Sequence, residues 1–234
     1  MITTARERFA AAAHCTGEDW RVYYDWGVLL LSQADFLTTR AEPASRILDE
    51  AKKLLQKSLP MTVYSGDKAA VNREMAMCVI AIAEHSEDTK ARPALYREAA
   101  ARFETAASLA PKAMAVRFYG LWGVSLLQAA KIDNDRMMIR QSVERLLTAL
   151  EMDSTNTEIR YNLVCAYALL DEPDNAMRHL RLCLDNDPKR IFFKAAASDP
   201  DLWSLRRTPE YNQIFNADSA QAADSLSKPR ISDR

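Results

Sequence analysis

Few residues of this chain are arranged to do chemistry. His179 and Cys183 stand four apart, which puts both side chains on one helical face, and Cys165 falls one predicted helix earlier. Imidazole nitrogen and thiolate are ligands for a soft divalent ion, so the trio would suit a metal if it converged. A free cysteine serves equally well as a compact core residue, and no metal site is expected. With three histidines in all, acid–base pairs are scarce. There is no glycine-rich phosphate loop, no His-Glu-x-x-His pair, no Gly-x-Ser-x-Gly elbow and no kinase set. Gly120-Leu121-Trp122-Gly123 lies in a helical stretch and matches neither nucleotide fingerprint. The expectation is a protein that is not an enzyme and holds no cofactor.

The elements that carry these residues are helices. Apolar residues make up 48% and charged residues 27%, while only five glycines interrupt 234 positions, which disfavours a strand-rich fold. Thirty-one basic against 32 acidic residues leave a net charge of −1 and no electrostatic footprint for nucleic acid. The apolar run Val28–Leu31 is too short to cross a bilayer. The opening Met-Ile-Thr-Thr-Ala-Arg-Glu-Arg has no basic-then-apolar leader or small-residue cleavage site, so a cytoplasmic location is expected. Cys15, Cys78, Cys165 and Cys183 form no Cys-x-x-Cys pair and read as small buried thiols, not as a disulfide framework.

Periodicity and punctuation predict helices over about 3–15, 19–37, 43–58, 68–86, 93–109, 113–130, 136–152, 157–170 and 173–186. Gly17 suits a C-terminal cap and Pro43 a first turn, with Ile47, Ala51, Leu54 and Leu55 facing inward from 43–58. Cys78, Val79 and Ile82 set the inward register of 68–86. Residues 60–67, with Ser-Gly-Asp, read as a loop, and Lys-Ile-Asp-Asn-Asp at 131–135 reads as a turn. Gly27 in mid-helix would cost roughly 1 kcal/mol against alanine, so a close helix approach is expected there.

Several segments repeat. Tyr23-x2-Trp26-Gly27-x2-Leu30 is echoed by Tyr119-x2-Trp122-Gly123-x2-Leu126, 96 residues on, and Ala176-x3-Leu180 by Ala99-x3-Phe103 and Ala5-x3-Phe9. The clearest copy spans Thr157–Arg190, with Leu163-Val164, Tyr167, Ala176, Leu180, Cys183 and a closing Pro188. This pattern resembles the tetratricopeptide repeat, in which small residues let two antiparallel helices approach while the next pair fills the groove. The resemblance implies an all-α fold: a right-handed superhelix of stacked antiparallel helix pairs, an α-solenoid, over residues 1–190. It also implies a capping segment of short helices over 191–216, and Cys183 then occupies a small-residue slot usually held by alanine. The Ser/Ala/Asp-rich stretch 217–234 has no apolar period and reads as a disordered tail. Copy spacings of 52 (Arg21–Arg73), 44 (Arg73–Arg117) and 41 residues (Arg117–Glu158), against 34 in the closing copy, place extra length inside the pairs.

The same resemblance implies that the first helix of each pair lines a concave face, at positions i, i+3, i+7 and i+10. Those are Arg21, Tyr24, Val28 and Leu31; Arg73, Ala76, Ile80 and Ala83; Arg117, Gly120, Val124 and Leu127; and Glu158, Tyr161, Cys165 and Ala168. Arginine at the same place in three of the four copies, beside a mostly apolar lane, predicts a groove for a peptide or protein partner with acidic residues on one rim. Asn162 stands where relatives of this type grip a terminal carboxylate, but Val28, Ile80 and Val124 replace the second asparagine, so that clamp is not expected. The plain alternative pairs the three arginines with Asp19, Asp25 and Glu74, and lets the C-terminal segment cover the lane. Function is thus expected to be that of an interaction scaffold. The rival readings are an accessory subunit of a larger complex and a helical-repeat nucleic-acid binder, the latter disfavoured by the balanced charge. Nothing in the pattern specifies an oligomeric state.

Overall fold

The computed structural model describes residues 2–16, 19–38 and 44–216. Ten helices alternate with short connections: α1 (Ile2–Thr16), α2 (Trp20–Thr38), α3 (Ser45–Ser58), α4 (Ser65–His85), α5 (Arg92–Leu109), α6 (Lys112–Asp133), α7 (Arg136–Met152), α8 (Thr157–Leu169), α9 (Pro173–Asp185) and α10 (Ile191–Ser198). Three 3-10 turns and a last helical run over 209–216 complete them, and no strand occurs among the described residues. The described residues fall into two compact units, the first ending at Asp153 and the second beginning at Ser154. Gly17, Pro43 and the tail 217–234 lie outside the described residues.

In the first unit, close approach drives the pairing. A Cβ on Gly27 of α2 would lie 2.8 Å from Leu55 Cγ of α3, and a Cβ on Gly123 of α6 the same distance from Leu146 Cγ of α7. Both glycines let a leucine seat against bare backbone, and the Ser142 hydroxyl donates to the Gly123 carbonyl at 2.7 Å. Between these pairs, Phe103 of α5 is fully buried with Val79, Ala99, Ala106 and Phe118, joining α4, α5 and α6 in one core. Burying one such ring contributes about 2–3 kcal/mol. Leu30, Leu55, Val71, Met75 and Cys78 join α2, α3 and α4 in another. Cys78 donates to the Leu48 carbonyl at 3.4 Å, and burial pushes its thiol up to about 12.

Local signals set most boundaries, with two corrections to boundaries and two to burial. Ser65, Gly66 and Asp67, expected in a loop, form the first turn of α4, where Asp67 offsets the positive helix end. The turn expected over 131–135 shrinks to two residues: α6 runs through Asp133, Asn134 takes the left-handed conformation (φ 54°), and Asp135 accepts from the Met138 amide to cap α7. In α3, Leu48 is buried in place of Ile47, and Leu54 is only partly covered. Cys15, expected inside, is exposed, whereas the other three cysteines are buried.

The second unit starts with Asn156, whose side chain accepts from the Ile159 amide to cap α8. Pro173 opens α9, which buries Ala176, Met177, Leu180 and Cys183. Asp187 then accepts from the amides of Ile191 and Phe193 (2.8 and 2.9 Å) and turns the chain into α10. The expected short capping helices follow, anchored by buried Ala196, Leu202, Leu205 and Tyr211, whose hydroxyl donates to the Ala196 carbonyl at 2.7 Å.

Candidate protein-interaction surface

In the first unit the three arginines differ in what holds them. Arg21, near the start of α2, is exposed and donates through Nε and Nη2 to both oxygens of Asp19, each at 2.9 Å. That pair holds the Asp19 carboxyl below its usual range and raises the guanidinium, with Asp67 and Asp25 adding to the field at Arg21. Arg73 on α4 pairs with Glu74, whose side chain is 9% exposed. Arg117 on α6 is exposed and stands in no ion pair among the described residues. Two of the pairings weighed from sequence are therefore present, Arg21 with Asp19 and Arg73 with Glu74.

The lane between these arginines is narrower than expected. Tyr24 sits edge-on to Trp20 at 5.6 Å and packs, with Leu31, on the α2–α3–α4 core. Burial pushes its hydroxyl up, and nearby Arg73 draws it back. Val28, Ile80 and Val124 are half-buried, and Ile80 leans on the α4–α5–α6 core. Ala76, Ala83, Gly120 and Leu127 are buried; Leu127, expected to line the groove, is a core residue at 1% exposure. The physical reason is visible at Ala76, which packs in one cluster with Phe118 of α6: neighbouring helices cover the small positions of the lane.

In the second unit the matching face of α8 is occupied by the chain itself. The Tyr161 hydroxyl donates to Asp199 Oδ2 at 2.9 Å, and its ring lies against Phe192 at 5.4 Å. The Cys165 thiol donates to the same oxygen at 3.6 Å, and the Ser204 hydroxyl to the Ala168 carbonyl at 3.0 Å. Burial, followed by Cys165 and Asp199, drives the Tyr161 hydroxyl far above its ordinary range. Asn162 folds its amide back onto the Glu158 carbonyl at 2.9 Å, and Glu158 stays exposed.

The suspected ligand trio does not converge. His179 stacks on Tyr167 at 5.6 Å, Cys183 points its thiol at the Thr157 carbonyl at 3.7 Å, and Cys165 turns to Asp199. Cys165, Asp199 and Asp201 do bring ligand atoms within 4.8 Å of one another. Asp199 is already engaged there by the Tyr161 hydroxyl, the Cys165 thiol and the Asp201 amide, which is capping chemistry.

Sequence reasoning missed one surface. Val63 and Tyr64, in the connector read as a loop, are 77% and 75% exposed beside Trp20 and Met61. Two adjacent large apolar residues in a turn were the available signal.

A solved tetratricopeptide-repeat protein, YrrB, described as having an unusual peptide-binding site, superposes with a TM-score of 0.56 at 16% identity, covering 93% of this chain and 97% of that one. The fold is tetratricopeptide-like. No family model matches the sequence, and no curated protein does. Among the described residues no helix is long and apolar enough to cross a membrane.

Proposed function

We propose that this protein is a non-enzymatic scaffold that holds a peptide or protein partner on the first helices of its pairs. The observation that carries the reading is α6, where exposed Arg117 stands without an ion pair on the same helix face as half-buried Val124, two turns along. A cation with no internal partner is free to meet a carboxylate of another chain. The likeness to YrrB, whose description includes a peptide-binding site, supports the same reading. The surface comprises Arg21, Tyr24, Val28, Arg73, Ile80, Arg117 and Val124 of the first unit; in the second unit Glu158 is the exposed counterpart on α8, and the Asn162 amide is turned back onto its carbonyl. Tyr161 is committed to Asp199 and serves the cap.

The pairing pattern selects the test. Reversing Arg73 would set a second carboxylate beside the nearly buried Glu74 and risk the fold. Arg117→Glu acts on an exposed side chain only. A hydrogen bond to a charged group contributes on the order of 1.5–3 kcal/mol, so quantitative co-purification should show partners weakened at least about tenfold, with helical circular dichroism unchanged. Retention of the same partners at the same affinity would move the site off this face. Binding lost only through other surfaces would favour an accessory-subunit role, and salt-dependent capture of RNA a nucleic-acid one.

A further inference from the structure

The connector between α3 and α4 exposes apolar surface without being loose. Its 3-10 turn, Leu59–Met61, ends at Thr62, which is buried and donates through its hydroxyl to the Leu59 carbonyl at 2.6 Å. The Tyr64 carbonyl accepts from the Lys68 amide at 3.0 Å as α4 begins. Val63 and Tyr64 are thus pinned on both sides and still 77% and 75% exposed. Tyr64 also takes the N-cap position of α4 without a side-chain cap bond, where serine, threonine, aspartate or asparagine would stabilise the helix. A residue that is wrong for the cap and wrong for solvent suggests a use outside the fold.

These side chains, with Trp20 and Met61, wall a cavity of about 290 Å³ that Arg21 and Asp67 complete. Pockets for whole small molecules run from about 300 to 1,000 Å³; this one suits a single side chain. Arg21 is held by both oxygens of Asp19. Asp67, in the wall, and exposed Asp25, one turn along α2, stand in no ion pair among the described residues; with Asp19 they make three carboxylates in the field of the single Arg21 cation, so the surroundings are net acidic. Aromatic faces attract a cation, and an unpaired carboxylate binds one. An acidic side chain would meet the Asp67 carboxylate instead.

We propose that the pocket of Trp20, Met61, Val63, Tyr64 and Asp67 takes a lysine or arginine side chain of a partner segment, with apolar neighbours lying on Val63 and Tyr64. This rests on the scaffold reading above and adds a second chemistry to it: a basic, apolar contact at the α2 end, distinct from the carboxylate that Arg117 would meet.

The probe is the synthetic peptide acetyl-Leu-Arg-Leu-Gly-Ser-amide, with its Leu-Glu-Leu counterpart as control, titrated into the full chain. The Trp20 indole N–H resonance, assigned by Trp20→Phe, reports occupancy. The arginine peptide should shift that resonance to saturation, and the glutamate peptide should not. Tyr64→Ala should raise the dissociation constant about fivefold, as expected for one cation–ring contact, and Asp67→Asn about tenfold, as expected for a charged hydrogen bond. Both positions lie at the surface of a pinned segment, so circular dichroism should not change. An unmoved indole, equal binding of the glutamate peptide, or affinities indifferent to both substitutions would overturn the proposal. So would self-association of the chain that Tyr64→Ala abolishes, because the pocket would then belong to a second copy. If Arg117→Glu releases partners while the pocket probe fails, only the pocket inference falls.

Discussion

The pairs α6–α7 and α8–α9 hold the same place in the repeat and are finished in different ways. Six residues beyond Arg117 stands Gly123, where a Cβ would reach within 2.8 Å of Leu146 Cγ and 3.2 Å of its backbone nitrogen. Six residues beyond Glu158 stands Val164, fully buried, while α9 buries Ala176, Leu180 and Cys183. The first pair closes by backbone approach and ties itself with the Ser142 hydroxyl on the Gly123 carbonyl. The second closes with side-chain volume. Their lane faces differ too: α6 presents exposed Arg117, whereas α8 ties Tyr161 and Cys165 to Asp199 of its own chain. The repeat sets where helices run; the residues at the contact decide whether a face is left for a partner.

The largest effect should come from breaking the close approach. Gly123→Leu drives a branched side chain into Leu146, with backbone as well as side chain in the way, and overpacking of this kind costs about 1–3 kcal/mol or more. At Gly66 an added Cβ meets nothing within 4 Å, so Gly66→Leu, as a surface change, should stay within about 0.5 kcal/mol. Urea melts followed through Trp122, which packs on the α4–α5–α6 core, measure both. Equal losses would show that α6–α7 tolerates volume as α8–α9 does, and the contrast between the pairs would collapse.

That contrast was partly legible in the sequence. Gly27 announced close approach and Gly123 repeats its motif, and the expected starts near 93, 136, 157 and 173 hold because local groups fix them: Pro93 and Pro173 in first turns, Asp135 and Asn156 as side-chain caps. Burial along the lane was not legible. Whether Tyr161 faces a partner depends on Phe192 and Asp199, more than thirty residues away, and whether Ala76 is open depends on Phe118. The start of α4 was misplaced because Ser-Gly-Asp is both good turn chemistry and a tolerable first helical turn. The exposure of Tyr64 was missed for the same reason: once 60–67 was read as a loop, its apolar residues had no assigned face.

A middle-sized effect should come from uncovering α8. Asp199 accepts from the Tyr161 hydroxyl and the Cys165 thiol, and from the Asp201 amide at the start of the following 3-10 turn. Asp199→Ala leaves a part-buried hydroxyl without its acceptor, a loss of about 1–3 kcal/mol, while Asp199→Asn keeps an acceptor and should lose less. Hydrogen exchange should quicken across 191–205 in the alanine variant and stay unchanged in α6 and α7. If exchange does not respond, apolar contacts of Phe192, Leu202 and Leu205 hold the cap unaided, and the polar closure of α8 is incidental.

The smallest effect is a pH response confined to the pair that carries His179; α6 and α7 contain no histidine. Burial is the main cause that lowers the His179 pKa from 6.5, and Arg160 of α8 and Arg178 of α9 add to it. The ring stacks on Tyr167, and its Nδ1 is buried without a hydrogen-bond partner, so a proton gained there would be poorly accommodated. A folded-state value below the unfolded one means that the unfolded chain binds more protons in the interval between them. The contribution of neutral His179 is therefore complete above the ordinary histidine range and is lost as pH falls through the lowered folded value. Histidine C2–H resonances should place the His179 midpoint below about 6.5. Acidification from about pH 7.5 to about 5.5 should destabilise the second unit more in the parent than in His179→Phe, which keeps a ring against Tyr167 without a titrating nitrogen. The readout is the denaturation midpoint followed at Trp203, which lies in this unit. A parent and variant that lose stability in parallel would assign the response to carboxylates and leave volume, not protonation, as what distinguishes α8–α9 from α6–α7.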